Sequence, residues 1–223
     1  MSQQECFDVL DHEMNRIGSA ARWEVHQKGL WHQTFHCWIY QIVGGRLQLL
    51  FQHRHPSKDT FPNLLDISCA GHLAAGEQVE DGVRELEEEL GLTVSFHDLK
   101  PCGIVPEEQV IEAGGMDREF CHVFVYRCNQ PLSEYHVQLE EVSGLYWLDM
   151  MEIRSLIHRD TRAVHGHGFS VHPVTGERTD ETRWFELKDF VPHHATYFER
   201  VFRKMEEEIA RSSKINSLPT SEG

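Results

Sequence analysis

The chain is poor in positive charge. Its 223 residues hold 21 Lys and Arg against 36 Asp and Glu, a net charge of −15 with histidine neutral. Binding to a nucleic-acid backbone rests on Lys and Arg neutralising phosphates, so no nucleic-acid polymer is expected as a partner. Long apolar runs are also missing. Nothing approaches the roughly 18 apolar residues of a membrane span, and the first residues form no apolar leader, so neither membrane insertion nor secretion is expected. Cysteine pairing motifs are absent too. Cys6, Cys37, Cys69, Cys102, Cys121 and Cys128 include no CxxC and no tight framework. In a chain of this length that pattern reads as free thiols in a reducing compartment, hence a cytoplasmic protein. No internal repeat is visible. A hydrophobic content of 40% is enough for a globular core, and the length suits one domain with an extension.

The most informative stretch runs from residue 71 to residue 92, GHLAAGEQVEDGVRELEEELGL. Val79, Val83, Leu86 and Leu90 recur at helical spacing and form a core-facing stripe. Gly91 stands where a glycine ends a helix. Residues three and four apart share a helix face, so Glu85, Glu88 and Glu89 point the same way with Arg84 beside them. Three like charges on one face repel each other. A hard cation such as Mg²⁺, which takes carboxylate and phosphate oxygens, removes that cost. A bare run of glutamates usually reads as a solvated face. Here Gly71, Gly76 and Glu77 lead directly into the helix, and glycines let a backbone turn tightly and approach a ligand.

These residues resemble the Nudix box. Arg84, Glu85, Leu86, Glu88, Glu89, Gly91 and Leu92 match its second half fully. Six residues, 78–83, separate Glu77 from Arg84, where the family usually has seven. The resemblance implies an α+β Nudix fold, a mixed β-sheet sandwiched between α-helices. It covers roughly residues 5–157 of a domain expected over 1–157, followed by a C-terminal helical extension over 158–211 packed on the domain and a disordered tail over 212–223. It also implies a metal-dependent hydrolase that cleaves a diphosphate linkage in a small phosphorylated substrate, either a nucleoside diphosphate derivative or an isoprenoid diphosphate. Glu85, Glu88 and Glu89 would hold Mg²⁺ or Mn²⁺ and take part in catalysis. Arg84 would lock their geometry, Gly71 and Glu77 would belong to the cofactor-binding loop, and Glu141 would be a loop base. Many relatives dimerise, so a homodimer is an open expectation.

Three features outside the box resemble isopentenyl-diphosphate isomerases and their hydrolase relatives. They are Trp31-His32-Gln33-Thr34-Phe35 with Trp38, the run from Asp66 to His72, and Asp117 with Glu119. In the isomerases, matching positions supply a metal site. The residues matching here are His32, His72, Glu119 and, more loosely, Asp117. The isomerases carry a reactive cysteine directly before the Gly-His pair, where this chain has Ala70. Cys69 is one position earlier and would face the other way on an extended backbone. Hydrolysis is therefore the leading expectation. The alternatives are isomerisation of isopentenyl diphosphate and a non-catalytic ligand-binding module.

Elsewhere the pattern predicts strands over 5–11, 30–42, 46–53 and 64–68, with a turn at 15–18 and a short helix or irregular crossing at 19–29. Further strands are expected at 92–96, 102–105, 119–127 and 145–148, and helices at 149–157 and near the C-terminus. Residues 175–183 read as a polar turn or loop. His165, His167 and His172 fall in a glycine-rich stretch and read as loop, while His193 and His194 read as surface. Trp31, Trp38 and Phe61 are either core or stacking surfaces for a base or an isoprenoid tail. Cys69 reads as a small buried filler.

Overall fold

The computed structural model describes residues 5–111 and 114–216. In chain order the elements are β1 (Cys6–Leu10), β2 (Arg16–Ala21), α1 (Arg22–Lys28), β3 (Trp31–Val43), β4 (Arg46–Arg54), β5 (Leu65–Asp66) and β6 (Cys69–His72). Then follow a 3₁₀ turn (Val79–Val83), α2 (Arg84–Leu90), β7 (Lys100–Val110), β8 (Met116–Arg127), β9 (Val142–Asp149), α3 (Met150–Ile157), β10 (Ala163–Val171), β11 (Arg178–Glu186) and α4 (Ala195–Asn216). No helix of the described residues is long and apolar enough to cross a membrane.

β3 is the hub. It pairs antiparallel with β4 through the Gly44-Gly45 turn, antiparallel with β6, and parallel with β8. The remaining strands are added outward, ending with β9, β10 and β11 on one side and β7 on β8. Alternation along the strands divides the core into two layers. Phe35, Cys37, Ile39, Leu50 and Trp147 meet Leu86 and Leu90 of α2 on one face. Trp38, Tyr40, Phe51, Tyr146 and Leu148 meet Ile153 and Leu156 of α3 and Phe198, Val201, Phe202 and Met205 of α4 on the other. The sheet thus lies between helices, as period-two burial of both faces requires.

Several expectations change. Residues 92–96 form no strand; Leu92 is buried under α2, and Val94 and Phe96 pack beside it, so their apolar character serves the core and not a ladder. Gly18 lies inside β2, and the turn sits earlier, where the Asp11 carboxylate accepts from the backbone N–H groups of Glu13 and Asn15. Most of the expected loop at 175–183 belongs to β11, whose polar residues suit a strand at the edge of the sheet. The glycine-rich stretch before it is β10. A Cβ at Gly168 would lie 1.9 Å from the Leu145 carbonyl oxygen, so glycine there allows β9 and β10 to close up. α4 continues to Asn216, five residues into the expected disordered tail; residues 217–223 lie outside the described residues.

Candidate active site

The box begins with a 3₁₀ turn over Val79–Val83, and the α-helix starts only at Arg84. Wound at 3.0 residues per turn and not 3.6, five residues rotate roughly 100° further, about one α-helical residue's worth. Arg84 thereby comes round onto Glu77 despite the short spacing. Its Nε lies 3.0 Å from Glu77 Oε1, and its Nη2 donates to Glu77 Oε2 at 3.1 Å and to the His72 carbonyl at 3.1 Å. Nη1 reaches Glu85 at 2.6 Å and Glu88 at 3.4 Å. Glu77 also accepts from the Ala74 N–H at 2.7 Å. Its oxygens are committed to the loop and to Arg84, and it does not line the cleft described next.

A cleft of about 440 Å³ opens beside α2. Glu85, Glu88 and Glu89 line it together with Glu141, Asp117, Glu119, Arg22, Arg54, Lys58 and Arg84. Gly71 admits the carboxylates. A Cβ there would sit 2.2 Å from the Glu85 carboxyl carbon, so any larger residue would push that carboxyl aside. Burial, and then repulsion from Glu85, pushes Glu89 up to about 8. Burial likewise raises Glu85 to about 7, against the pull of Arg84. Two carboxyls that hold protons near neutrality in a polar cleft are short of positive charge. Glu141 accepts from Lys58 Nζ at the mouth.

A second cluster lies on the strands. The β3–β8 register sets His32 beside Glu119, and the β3–β6 register sets His72 beside Thr34. His32 and His72 stack with ring centroids 5.1 Å apart. Glu119 Oε1 lies 3.5 Å from His72 Nε2 and 3.9 Å from His32 Nε2. His26 on α1 joins them. Ligand atoms of His26, His32, His72 and Asp117 all fall within 4.8 Å of one another. His26 Nε2, His32 Nε2, His72 Nε2 and Asp117 Oδ1 are buried with no hydrogen-bond partner. Orphaned polar atoms of this kind are costly, and a shared cation would satisfy each of them that presents a lone pair. Burial drives His32 down to about 3 and His26 to about 4, which keeps the rings neutral, the form that ligates metal. The donor set therefore fits a divalent ion of borderline softness.

A family model described as NUDIX domain matches residues 31–169. The chain belongs to the Nudix family. It is 41% identical over 203 residues to an uncharacterised Nudix hydrolase of Clostridium acetobutylicum, covering 91% of this chain and 98% of the relative. It is 31% identical over 155 residues to an isopentenyl-diphosphate Delta-isomerase of Photorhabdus laumondii, covering 69% of this chain and 82% of the relative. A crystal structure from Deinococcus radiodurans shares the fold, with a TM-score of 0.54 and 23% identity over 70% of this chain and 90% of that one. The protein is thus a Nudix-type hydrolase with isomerase-like relatives.

The Nudix box and the histidine cluster meet at β6, where Gly71 faces Glu85 and His72 faces Glu119. Two residues of this neighbourhood escape a reading of the sequence. His26 stands on a seven-residue helix with no motif around it, and only the packing of α1 against β8 brings it in. His193 is not a surface residue. Its side chain is 6% exposed, lines the cleft and lies between Asp66 and Glu107. Its surroundings come from strands that no local pattern could associate with it. Trp31 stacks on Phe120 and Trp38 lies in the core, whereas Phe61 lines the cleft. His165 is exposed beside Trp184, away from both clusters. Cys69 is buried under α2, and Ala70 lines the cleft in the position before the Gly-His pair.

Proposed function

We propose that this Nudix enzyme hydrolyses the diphosphate linkage of a small phosphorylated substrate in the cleft beside α2, with Mg²⁺ or Mn²⁺ as cofactor. The observation that carries this reading is the convergence of Glu85, Glu88 and Glu89 with Arg22, Arg54, Lys58 and Arg84 on one cleft. Glu85, Glu88 and Glu89 would hold the ion, which when bound neutralises phosphoryl oxygens and favours an ionised water. Arg84, braced by Glu77, fixes the carboxylates. Arg22, Arg54 and Lys58 draw the diphosphate in and offset its charge. Glu141, held by Lys58, accepts the proton of the attacking water at a carboxylate oxygen. His26, His32, His72 and Asp117, with Glu119 beside them, would hold a second ion of Mn²⁺, Zn²⁺ or Fe²⁺ type.

Isomerisation of isopentenyl diphosphate is the second reading, favoured by the isomerase relatives and by the histidine cluster. Ala70 weighs against it, since a methyl group stands where a thiol would face the cleft. A phosphate-release screen over nucleoside diphosphates, nucleotide sugars, dinucleoside polyphosphates, coenzyme A and isoprenoid diphosphates, with Mg²⁺ and with Mn²⁺, tests the proposal. Turnover that needs the metal and disappears in Glu88→Gln and Glu89→Gln supports it. No cleavage of any compound with either metal leaves a binding module in its place.

A further inference from the structure

One face of the β7–β8 ladder turns four polar side chains into the cleft. Glu107 pairs with Glu119 and Gln109 with Asp117, so all four point the same way. Asp117 and Glu119 belong to the histidine cluster. Glu107 is held differently. His193, arriving just before α4, places Nδ1 2.9 Å from Glu107 Oε2 and Nε2 3.0 Å from Asp66 Oδ1. Carboxylate oxygens accept and do not donate, so both ring nitrogens carry protons and the ring is a cation. The ring also stacks on Tyr197, centroids 4.8 Å apart, and the Tyr197 hydroxyl meets Trp38 Nε1 and His36 Nδ1, each at 3.0 Å. Asp66 takes Arg54 Nη1 at 2.8 Å on its other oxygen. Every polar atom of His193 is used, so the imidazole itself has nothing left for a ligand.

Glu107 does. Oε2 is bound by His193, while Oε1 makes no hydrogen bond among the described residues. The cleft that Glu107 lines is also walled by Thr34, His36, Asp66 and Gln109, and its few apolar surfaces include Val191, Phe61 and Ile67. An isoprenoid tail laid here would strip water from carboxylates and return no hydrogen bond, which is unfavourable. A group carrying O–H or N–H donors would satisfy them.

We propose that Glu107 is a specificity-determining residue that accepts a hydrogen bond from a hydroxyl or amino group on the non-phosphate part of the substrate. His193 is its positioning residue, which fixes the carboxylate and ties the C-terminal segment to the cleft. The idea deepens the hydrolase reading, since it rests on a diphosphate lying in the same cleft.

The test is calorimetric binding of UDP-glucose, ADP-ribose and geranyl diphosphate with Mg²⁺, in the full chain and in Glu107→Ala, Glu107→Gln and His193→Gln, with turnover read in the same samples. Loss of a hydrogen bond to a charged acceptor should weaken both hydroxyl-rich ligands by about tenfold or more in Glu107→Ala, while geranyl diphosphate changes by less than about twofold. Glu107→Gln, which keeps the shape, should fall between, and His193→Gln should weaken the same two ligands. Its effect should not add to that of Glu107→Ala, since the two residues act as one unit. A uniform change across the three ligands, no change, or a parent chain that binds geranyl diphosphate most tightly or binds none of them overturns the proposal. Selective binding without turnover keeps it and removes the hydrolase reading instead.

Discussion

The main-chain carbonyl of Leu30 lies 3.1 Å from Nδ1 of His32. A carbonyl only accepts, so Nδ1 carries the proton and Nε2 presents a lone pair to the cluster. His72 is set the other way. Arg22 Nη1 donates toward its Nδ1 at 3.1 Å, which leaves the proton on Nε2. Metal loading would therefore ask His72 to exchange tautomer and Arg22 Nη1 to give up His72 and keep Glu5, which it already meets at 3.3 Å. We expect Arg22→Met to raise Mn²⁺ or Zn²⁺ affinity several-fold, and His26→Gln and His32→Gln to lower it by about 10–100-fold, the range for metal-site residues. Equilibrium dialysis measures this. Unchanged affinity in His26→Gln removes that residue from the site.

The box carboxylates give a pH signature. Glu85 and Glu89 rise from 4.5 to about 7 and about 8 in the folded chain. The folded state then keeps protons that the unfolded state has released, so metal-free stability falls as pH rises from about 4.5 to about 8. Mg²⁺ should restore it, with a larger rise in Tm at pH 8 than at pH 5. Glu89→Gln should stabilise the metal-free protein at pH 8 and still cut turnover by about 100-fold or more. Thermal melts and kinetics on the best substrate read both effects. A Tm gain from Mg²⁺ that is equal at the two pH values counts against the site.

Gly71→Ala should damage activity far more than stability. The added Cβ meets the Glu85 carboxyl and forces it off its position. The carboxyl can swing aside, so the stability change should be below about 1 kcal/mol, while turnover is lost with the displaced carboxylate. Wild-type activity in this variant would refute the close approach.

Isomerase activity should be absent. Incubation with isopentenyl diphosphate is expected to give no dimethylallyl diphosphate, because Ala70 lines the cleft and Cys69 is buried under α2. Isomerisation that disappears in Cys69→Ser would reverse both the activity and the orientation assigned to that thiol.

Burial opposes the charge on His193, yet its bonds to Asp66 and Glu107 outweigh burial and hold it at about 10. A raised histidine contributes its full stability below about 6.5 and loses it as pH climbs toward 10. Urea melts from pH 6.5 to 10 should show this decline in the parent and a flatter profile in His193→Gln. Equal slopes would mean that the ring is neutral.

Sequence carried the box, the sheet strands around it and the pairing of two histidines with two acids, because each has a local spacing or a family resemblance behind it. Glu77 and Arg84 show the limit of spacing alone, since a 3₁₀ turn makes good the missing residue. β11 was hidden because an edge strand needs little apolar character, and 92–96 misled because apolar residues can plug a core without pairing. His26 and His193 were invisible for a different reason. Each matters only through neighbours supplied by strands distant in sequence.

The parallel pairing of β3 with β8 also orders events in time. It joins strands separated by roughly ninety residues, and such contacts close late in folding. At seven residues the acidic helix is too short to stand alone and leans on the sheet for its stability. The histidines of α1 and β3 wait until β8 has been made and docked with Asp117 and Glu119 in register. His26, His32 and His72 all precede β8 in the chain, so only the carboxylate part of the donor set depends on that closure. An ion held by the full set would therefore bind most tightly only once the sheet has closed.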